Sequence, residues 1–334
     1  MSQAPGTAPR PSRDRLGAVG VWSHLDGLAA AELRAFARRV EALGYDALWV
    51  PETVGREPYT LLGALSGETE RMLLGTSIAS IWGHDAMSTR MAAMTLHELS
   101  GGRFVLGLGV SHPHLAQKLR GHVYDQPVTR MREFLEAYRR LPYRGPTLSG
   151  GGAASHTITE PPVLIAALRE RMLTLAATNG EGAFPYLVTP ERVDWMRAVL
   201  DREADLVGRP SPLLAVTLPV VLEPDRGKAR GAARAYLAPY LRTPTYHASW
   251  AAQGLAPEDW EQPASDRLVD AMVAWGDAPT LRERLAGMHA AGADHVALIP
   301  LAPDGTTEHL PTLEALVPAE VATDGSIPTT HHRG

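Results

Sequence analysis

The chain has 334 residues, 45% of them hydrophobic, enough to fill the core of one large α/β domain. Its 32 basic residues against 37 acidic ones leave a formal net charge of −5, no footprint for a polyanion, so no nucleic-acid partner is expected. Cysteine is absent, which removes disulfides, thiolate nucleophiles, iron–sulfur clusters and cysteine zinc sites and fits a reducing cytoplasm.

Residues 1–15, rich in Pro, Ser and Arg, read as a disordered lead-in without the apolar core of a signal peptide. No apolar run approaches the roughly 18 residues of a membrane span, so no membrane partner is expected either. Short apolar, β-branched runs then alternate with helical patterns, which is the signature of parallel strands joined by helical crossovers. The predicted strands are 17–22, 47–50, 73–79, 104–109, 163–166, 183–188, 213–222 and 295–301. Eight such strands close a (β/α)8 TIM barrel, expected to occupy residues 16–322 as a single domain.

The helices between them carry a 3.6-residue stripe. Leu33, Phe36, Val40 and Leu43 form one, and Met131, Phe134, Leu135, Tyr138 and Leu141 another. Gly44, Gly101–Gly102, Pro142, Thr189–Pro190 and Gly292 mark the boundaries. Two connections, about 142–162 and 224–292, exceed a minimal crossover and read as helical or loop insertions that cover a binding site. A polar tail follows from 323 to 334.

A barrel of this kind gathers its reactive groups at the C-terminal ends of its strands. Trp22, Ser23 and His24 follow the first; Pro51, Glu52 and Thr53 follow the second. Residues 77–82 close the third and residues 109–114 the fourth, bringing Trp82 and His112 to the mouth. Trp22 and Trp82 also suit plain rim aromatics, and Glu52 a carboxylate near a helix N-terminus. His112 and His114 form a His-x-His pair, but the last strand ends Leu298-Ile299-Pro300-Leu301 without the carboxylate a metal site needs, so no metal is expected. Gly107-Leu108-Gly109 lacks the third glycine of a dinucleotide loop.

Three stretches carry a family resemblance. Gly44-Tyr45-Asp46-Ala47-Leu48-Trp49-Val50-Pro51-Glu52 and Leu74-Gly75-Thr76-Ser77-Ile78 resemble the second and third strands of the luciferase-like superfamily. The run from Thr95 through Ser100-Gly101-Gly102-Arg103-Phe104 to Gly109 is similar to its passage from third helix to fourth strand. With Arg130-Met131-Arg132-Glu133, Leu175-Ala176-Ala177 and Gly292-Ala293-Asp294-His295-Val296, the resemblance spans roughly 16 to 302 and points to the coenzyme F420-dependent oxidoreductase branch.

The resemblance implies a deazaflavin in the barrel mouth, with FMN as the alternative carrier. Its ring would lie on Ser77, Ile78 and Ala79, joined by a non-proline cis peptide at Ser77–Ile78, and on Gly109, Val110 and Ser111. The phosphate would meet backbone N–H groups at Ala166, Ala167, Leu168 and Arg169, and at Thr189. Many relatives have glycine near Leu168, and sugar-phosphate dehydrogenases of the branch place Asp-His and Glu where this chain has Glu52-Thr53 and His112. That departure turns the reading away from sugar phosphates and toward hydride transfer to a small organic substrate, with a C=C or C=N bond as acceptor. Proton transfer would fall to His112, whose ordinary pKa lies near neutrality, with Glu52 in support. Trp22, His24 and Trp82 would line the substrate pocket. An FMN-dependent monooxygenase and a barrel that binds a flavin without turnover are the rival readings, and a homodimer is left open.

Overall fold

A computed structural model of the chain describes residues 16–141, 159–302 and 310–318. Its strands are β1 (Val19–Trp22), β2 (Ala47–Val50), β3 (Leu73–Thr76), β4 (Ala79–Ser80), β5 (Phe104–Gly109), β6 (Val163–Ile165), β7 (Gly182–Ala183), β8 (Leu213–Leu222), β9 (Ala274–Gly276) and β10 (His295–Pro300). They are apolar on both faces because both faces are covered, which favours parallel pairing under helices. Every pairing is parallel, in the order β10–β1–β2–β3–β5–β6–β7–β8. Strand β8 then returns to β10, from His295 opposite Ala215 to Pro300 opposite Val220, and the barrel closes on eight strands. Short β4 runs beside β5, and β9 extends the far end of β8.

Helices α1 (Ala30–Ala42), α2 (Pro58–Ser66), α3 (Ala86–Leu99), α4 (Pro127–Arg140), α5 (Glu170–Asn179) and α6 (Pro190–Leu206) follow the first strands in turn. The two expected stripes are the buried faces: Leu33, Phe36 and Val40 in α1, and Met131, Leu135 and Tyr138 in α4. Between β8 and β10 the chain makes its long excursion through α7 (Arg226–Leu237), α8 (Pro244–Ala251) and α9 (Asp266–Met272), then α10 (Ala278–Ala290) returns it to the barrel. The last described helix is α11 (Leu310–Ala315). The excursion packs Leu237, Trp250, Leu268 and Val269 against Leu187 and Val221 of the barrel, so its apolar cluster is anchored on the barrel itself.

Inside the bore, Trp49, Val105, Leu164, Phe184, Ala215 and Ile299 pack together. The Trp49 indole donates to His295 Nε2 at 2.9 Å, and Gly75 leaves room for its ring, since a Cβ there would lie 2.2 Å from it. The large cavity is thereby left to the strand C-terminal mouth, and a small one of about 50 Å³ lies at the opposite end, beside Leu73, Phe104 and Leu213. No helix among the described residues is long and apolar enough to cross a membrane.

Beyond shifts of one or two residues at strand ends, the strands depart from expectation in three places. The run 73–79 is not one strand: β3 stops at Thr76, the Ser77–Ile78 peptide is cis as the resemblance implied, and β4 resumes at Ala79. The run 183–188 shrinks to the end of β7 at Ala183, and four residues on Leu187 adopts φ 55°, a left-handed conformation that keeps the strand from resuming. Strand β9 is too short for any alternation to show in sequence. The connection 142–162 lies mostly outside the described residues.

Candidate functional site

A cavity of about 880 Å³ opens at the C-terminal ends of the strands, within the size range of small-molecule and cofactor sites. Its first wall comes from β1, β2 and the cis segment. Trp22, at the end of β1, donates its indole N–H to the Ser77 carbonyl at 3.0 Å and meets His24 edge-on at 4.8 Å. Trp22, His24, Ser77 and Ile78 all line the cavity. Glu52 lines it too, but its carboxylate is already engaged. It accepts from the Ser80 amide at 2.8 Å and from Arg120, and His84 stands 4.0 Å away. Glu52 thus ties the end of β2 to β4 and to the turn after the π-helical segment His114–Leu119.

The second wall is the end of β5. Gly109 and Ala79 lie behind it and do not line the cavity; a Cβ on Gly109 would fall 2.5 Å from Ile78 Cδ1 and Cγ1. Gly109 is therefore what lets the Ile78 side chain lie across the barrel end. Ser111 adopts φ 54°, a conformation that costs a non-glycine residue on the order of 1–3 kcal/mol and persists where surroundings hold it. The hold is visible: Trp82 Nε1 donates to the Val110 carbonyl at 2.8 Å, and the Tyr124 hydroxyl to that of Ser111 at 3.3 Å. Trp82 is accordingly a backbone clamp; the structure does not bring it to the cavity as a pocket wall.

His112 lines the cavity, stacks on His114 with ring centroids 6.0 Å apart, and abuts Tyr246 at 5.3 Å. Burial, and then the neighbouring His114, lower its pKa to about 4. The expectation of a near-neutral pKa fails here: His112 is a neutral imidazole at pH 7, and its buried Nδ1 has no hydrogen-bond partner.

The far end is formed by Ala166, Ala167, Leu168 and Arg169, which lead into α5, together with Glu170, Arg171 and Met172 of its first turn. Arg169 is the N-cap in extended conformation and gives no side-chain cap, so first-turn amides face this end uncapped by any side chain. Thr189 does not join them. Its amide donates to Gln253 Oε1 at 2.8 Å and its hydroxyl caps α6 through the Arg192 amide at 3.3 Å, because the loop turns away at Leu187.

Sequence reasoning missed the residues of the remaining wall. Thr217 in β8 has a buried hydroxyl without a hydrogen-bond partner that lines the cavity; its signal was the lone hydroxyl in the apolar run LLAVTLPVVL. Tyr186, from the loop after β7, and Tyr240 and Tyr246, from the excursion, also line it. Nothing in their spacing joins them to the barrel mouth. Among the described residues, no group of three or more His, Cys, Asp or Glu could hold a metal ion. The set as a whole suits a flat molecule with a polar edge and an anionic tail. The Ile78 wall supports a face, the orphaned His112 Nδ1 and Thr217 Oγ1 offer polar partners, and the α5 N-terminus accepts an anion.

Solved structures share this fold. The coenzyme F420-dependent tetrahydromethanopterin reductase of Methanopyrus kandleri matches with a TM-score of 0.70 and 17% identity, covering 90% of this chain and 96% of that one. The oxygenating constituent of 3,6-diketocamphane monooxygenase of Pseudomonas putida, a type II Baeyer–Villiger monooxygenase in complex with FMN, matches at 0.68 and 15% identity, again over 90% and 96%. By sequence, a Mycobacterium tuberculosis protein with the provisional name coenzyme F420-dependent oxidoreductase Rv3520c is 28% identical over 90% of this chain and 97% of its own. The luciferase-like monooxygenase family model matches residues 16–295, and the protein is an oxidoreductase of that family.

Proposed function

We propose that the protein is a coenzyme F420-dependent oxidoreductase that moves a hydride between the deazaflavin and a small organic substrate in the mouth cavity. One observation carries the reading: the Ser77–Ile78 wall, the strained Ser111 segment and the N-terminus of α5 border a single cavity. A flat ring and an anionic tail can therefore be held at once, by main chain on one side and helix amides on the other. The F420 named for the reductase and for the mycobacterial relative supports this carrier. FMN is the second reading, supported by the FMN complex of the monooxygenase.

When bound, the carrier would supply two electrons as hydride. The chain's part is to bind, orient and handle the proton. Glu52 fixes the junction of β2 and β4, and Trp22 fixes the Ser77 carbonyl behind the ring position. With a pKa of about 4, only about one His112 in a thousand is protonated at pH 7. His112 accordingly acts as a hydrogen-bonding partner through its free Nδ1, and the acid must be sought elsewhere in the cavity.

Titrating the purified protein with oxidised F420 and with FMN, followed by absorbance, tests the carrier. A perturbed F420 spectrum, with reduced F420 consumed by substrate without oxygen uptake, is the expected result. Binding of FMN alone, with oxygen consumed, would transfer the protein to the monooxygenase reading.

A further inference from the structure

We propose that Tyr186 is the proton-donating group of the substrate chamber, flanked by Tyr236 and Tyr240, and that the chamber takes a neutral aromatic or conjugated carbonyl compound. The proposal rests on the hydride-transfer reading above. Its geometry stands independently. The Tyr186 hydroxyl is hydrogen-bonded to that of Tyr240 at 2.9 Å and to that of Tyr236. Tyr186 and Tyr240 line the cavity, while Tyr236 supports them from behind. The Trp22 ring, whose N–H is committed to the wall under Ile78, lies 5.8 Å from that of Tyr186. The phenols thus stand beside the same wall on which the carrier's ring is proposed to lie.

The position of Tyr186 is enforced. The next residue, Leu187, is held in the left-handed region, and its carbonyl accepts from Gln253 Nε2 at 3.4 Å. The same Gln253 side chain accepts from the Thr189 amide, so the excursion clamps the loop on both sides of the turn. Burial raises all three phenols above their ordinary pKa, and each therefore keeps its proton at neutral pH. A lone buried phenol would be a poor acid. In the resting triad the neighbouring phenols and the hydrogen bond with Tyr236 raise the Tyr186 pKa further, so Tyr186 gives up its proton only when both neighbouring hydroxyls turn to donate to it and stabilise the charge as it develops.

The chemistry of the wall selects the substrate. Tyr186, Tyr240 and Tyr246 present ring faces and hydroxyls and no charge. An isolated C=C bond offers a phenol no acceptor. A protonated C=N would call for a free carboxylate, but both carboxylates that line the cavity are paired, Glu52 with Arg120 and Glu170 with Arg202. A carbonyl oxygen accepts from Tyr186, so C=O is the acceptor this chamber fits, where the sequence suggests C=C or C=N. In the reducing direction, hydride from reduced deazaflavin forms a C–H bond at the carbonyl carbon, and the C=O π pair moves to oxygen. The Tyr186 proton completes an alcohol. The substrate gains two electrons that the carrier loses, and the phenolate recovers a proton from solvent, matched by the proton the oxidised carrier releases.

The test uses the full chain without carrier, so it reads the chamber apart from hydride transfer. Acetophenone, its deoxygenated isostere ethylbenzene, and benzoate are titrated against tryptophan fluorescence in the wild type, Tyr186→Phe and Tyr236→Phe. Acetophenone is expected to bind the wild type best and to lose about tenfold in Tyr186→Phe, with a smaller loss in Tyr236→Phe and ethylbenzene unchanged. Unaltered melting temperatures establish that the variants fold. Absence of acetophenone binding, equal binding to Tyr186→Phe, or preference for benzoate would each overturn the proposal. Failure of F420 to bind in the separate carrier titration would instead overturn the carrier reading and leave the ketone chamber standing.

Discussion

Gly109→Ala probes the support of the cis segment directly. The added methyl would stand 2.5 Å from two carbons of Ile78, while Ala166 Cβ closes the other side at 3.2 Å. Carbon–carbon contacts settle near 3.5–4.0 Å, so Ile78 must recede by about 1 Å, and the only open direction is the cavity that it lines. Overpacking of this kind costs about 1–3 kcal/mol, which for a chain of this length lowers Tm by roughly 2–5 °C. Carrier affinity falls as well, by about tenfold for each 1.4 kcal/mol lost at the ring's support. The control is Gly231→Ala in α7, where an added Cβ meets nothing within 4 Å. Removing a helix-interior glycine there should stabilise by about 0.5–1 kcal/mol. Thermal unfolding and an absorbance titration with F420 read both effects. If Gly109→Ala melts and binds like wild type, the close approach to Ile78 is not a support and the argument fails.

Acid stability offers a second check: burial lowers the pKa of His295 to about 4, as it does that of His112. Below pH 6.5 the unfolded chain takes up a proton that the folded chain refuses until about pH 4. The stability present above pH 6.5 is therefore lost as pH falls through that window, by up to about 3 kcal/mol per histidine, and urea titrations of His295→Gln should show a shallower decline. A third concerns Glu52→Gln, which keeps an acceptor for the Ser80 amide but removes the charge facing Arg120. A double-mutant cycle with Arg120→Ala should give a coupling of about 1 kcal/mol, and a coupling of zero would remove the clamp.

The barrel was legible because its strands are apolar on both faces and its helices are striped, and both patterns survive without any knowledge of partners. The cis segment was legible for a different reason, the resemblance of Thr76-Ser77-Ile78 to the third strand of the luciferase-like superfamily. What could not be read was direction. Trp82 sits at a strand end like Trp22, yet its indole N–H turns to the Val110 carbonyl at the end of the neighbouring strand and its ring does not reach the cavity. Thr189 opens a helix, as a phosphate-binding residue would, yet Gln253, far along the chain, takes its amide. The near-neutral pKa expected of His112 was that of a free imidazole, and only the packing of Tyr246 and His114 around it shows why that value does not apply.

The two ends of the cavity are built by different physical means, and this bears on how each responds to change. The Ile78 end is main chain held by indole N–H groups and by a close approach: Ser77 by Trp22, which itself lines the cavity, Val110 by Trp82, and Ile78 by Gly109 behind it. Two of these three supports, Trp82 and Gly109, lie behind the surface, where a change of lining side chain does not reach them, so that end is suited to a ligand that stays the same. The Tyr186 end is made of side chains contributed by one loop and by the excursion, with Gln253 joining the two. Its shape depends on a few phenols and one left-handed residue, and a single side-chain replacement alters which acceptor it can satisfy. On the proposed reading, a fixed site for the carrier and a changeable site for the substrate follow from that difference in construction, without any difference in the barrel that holds them.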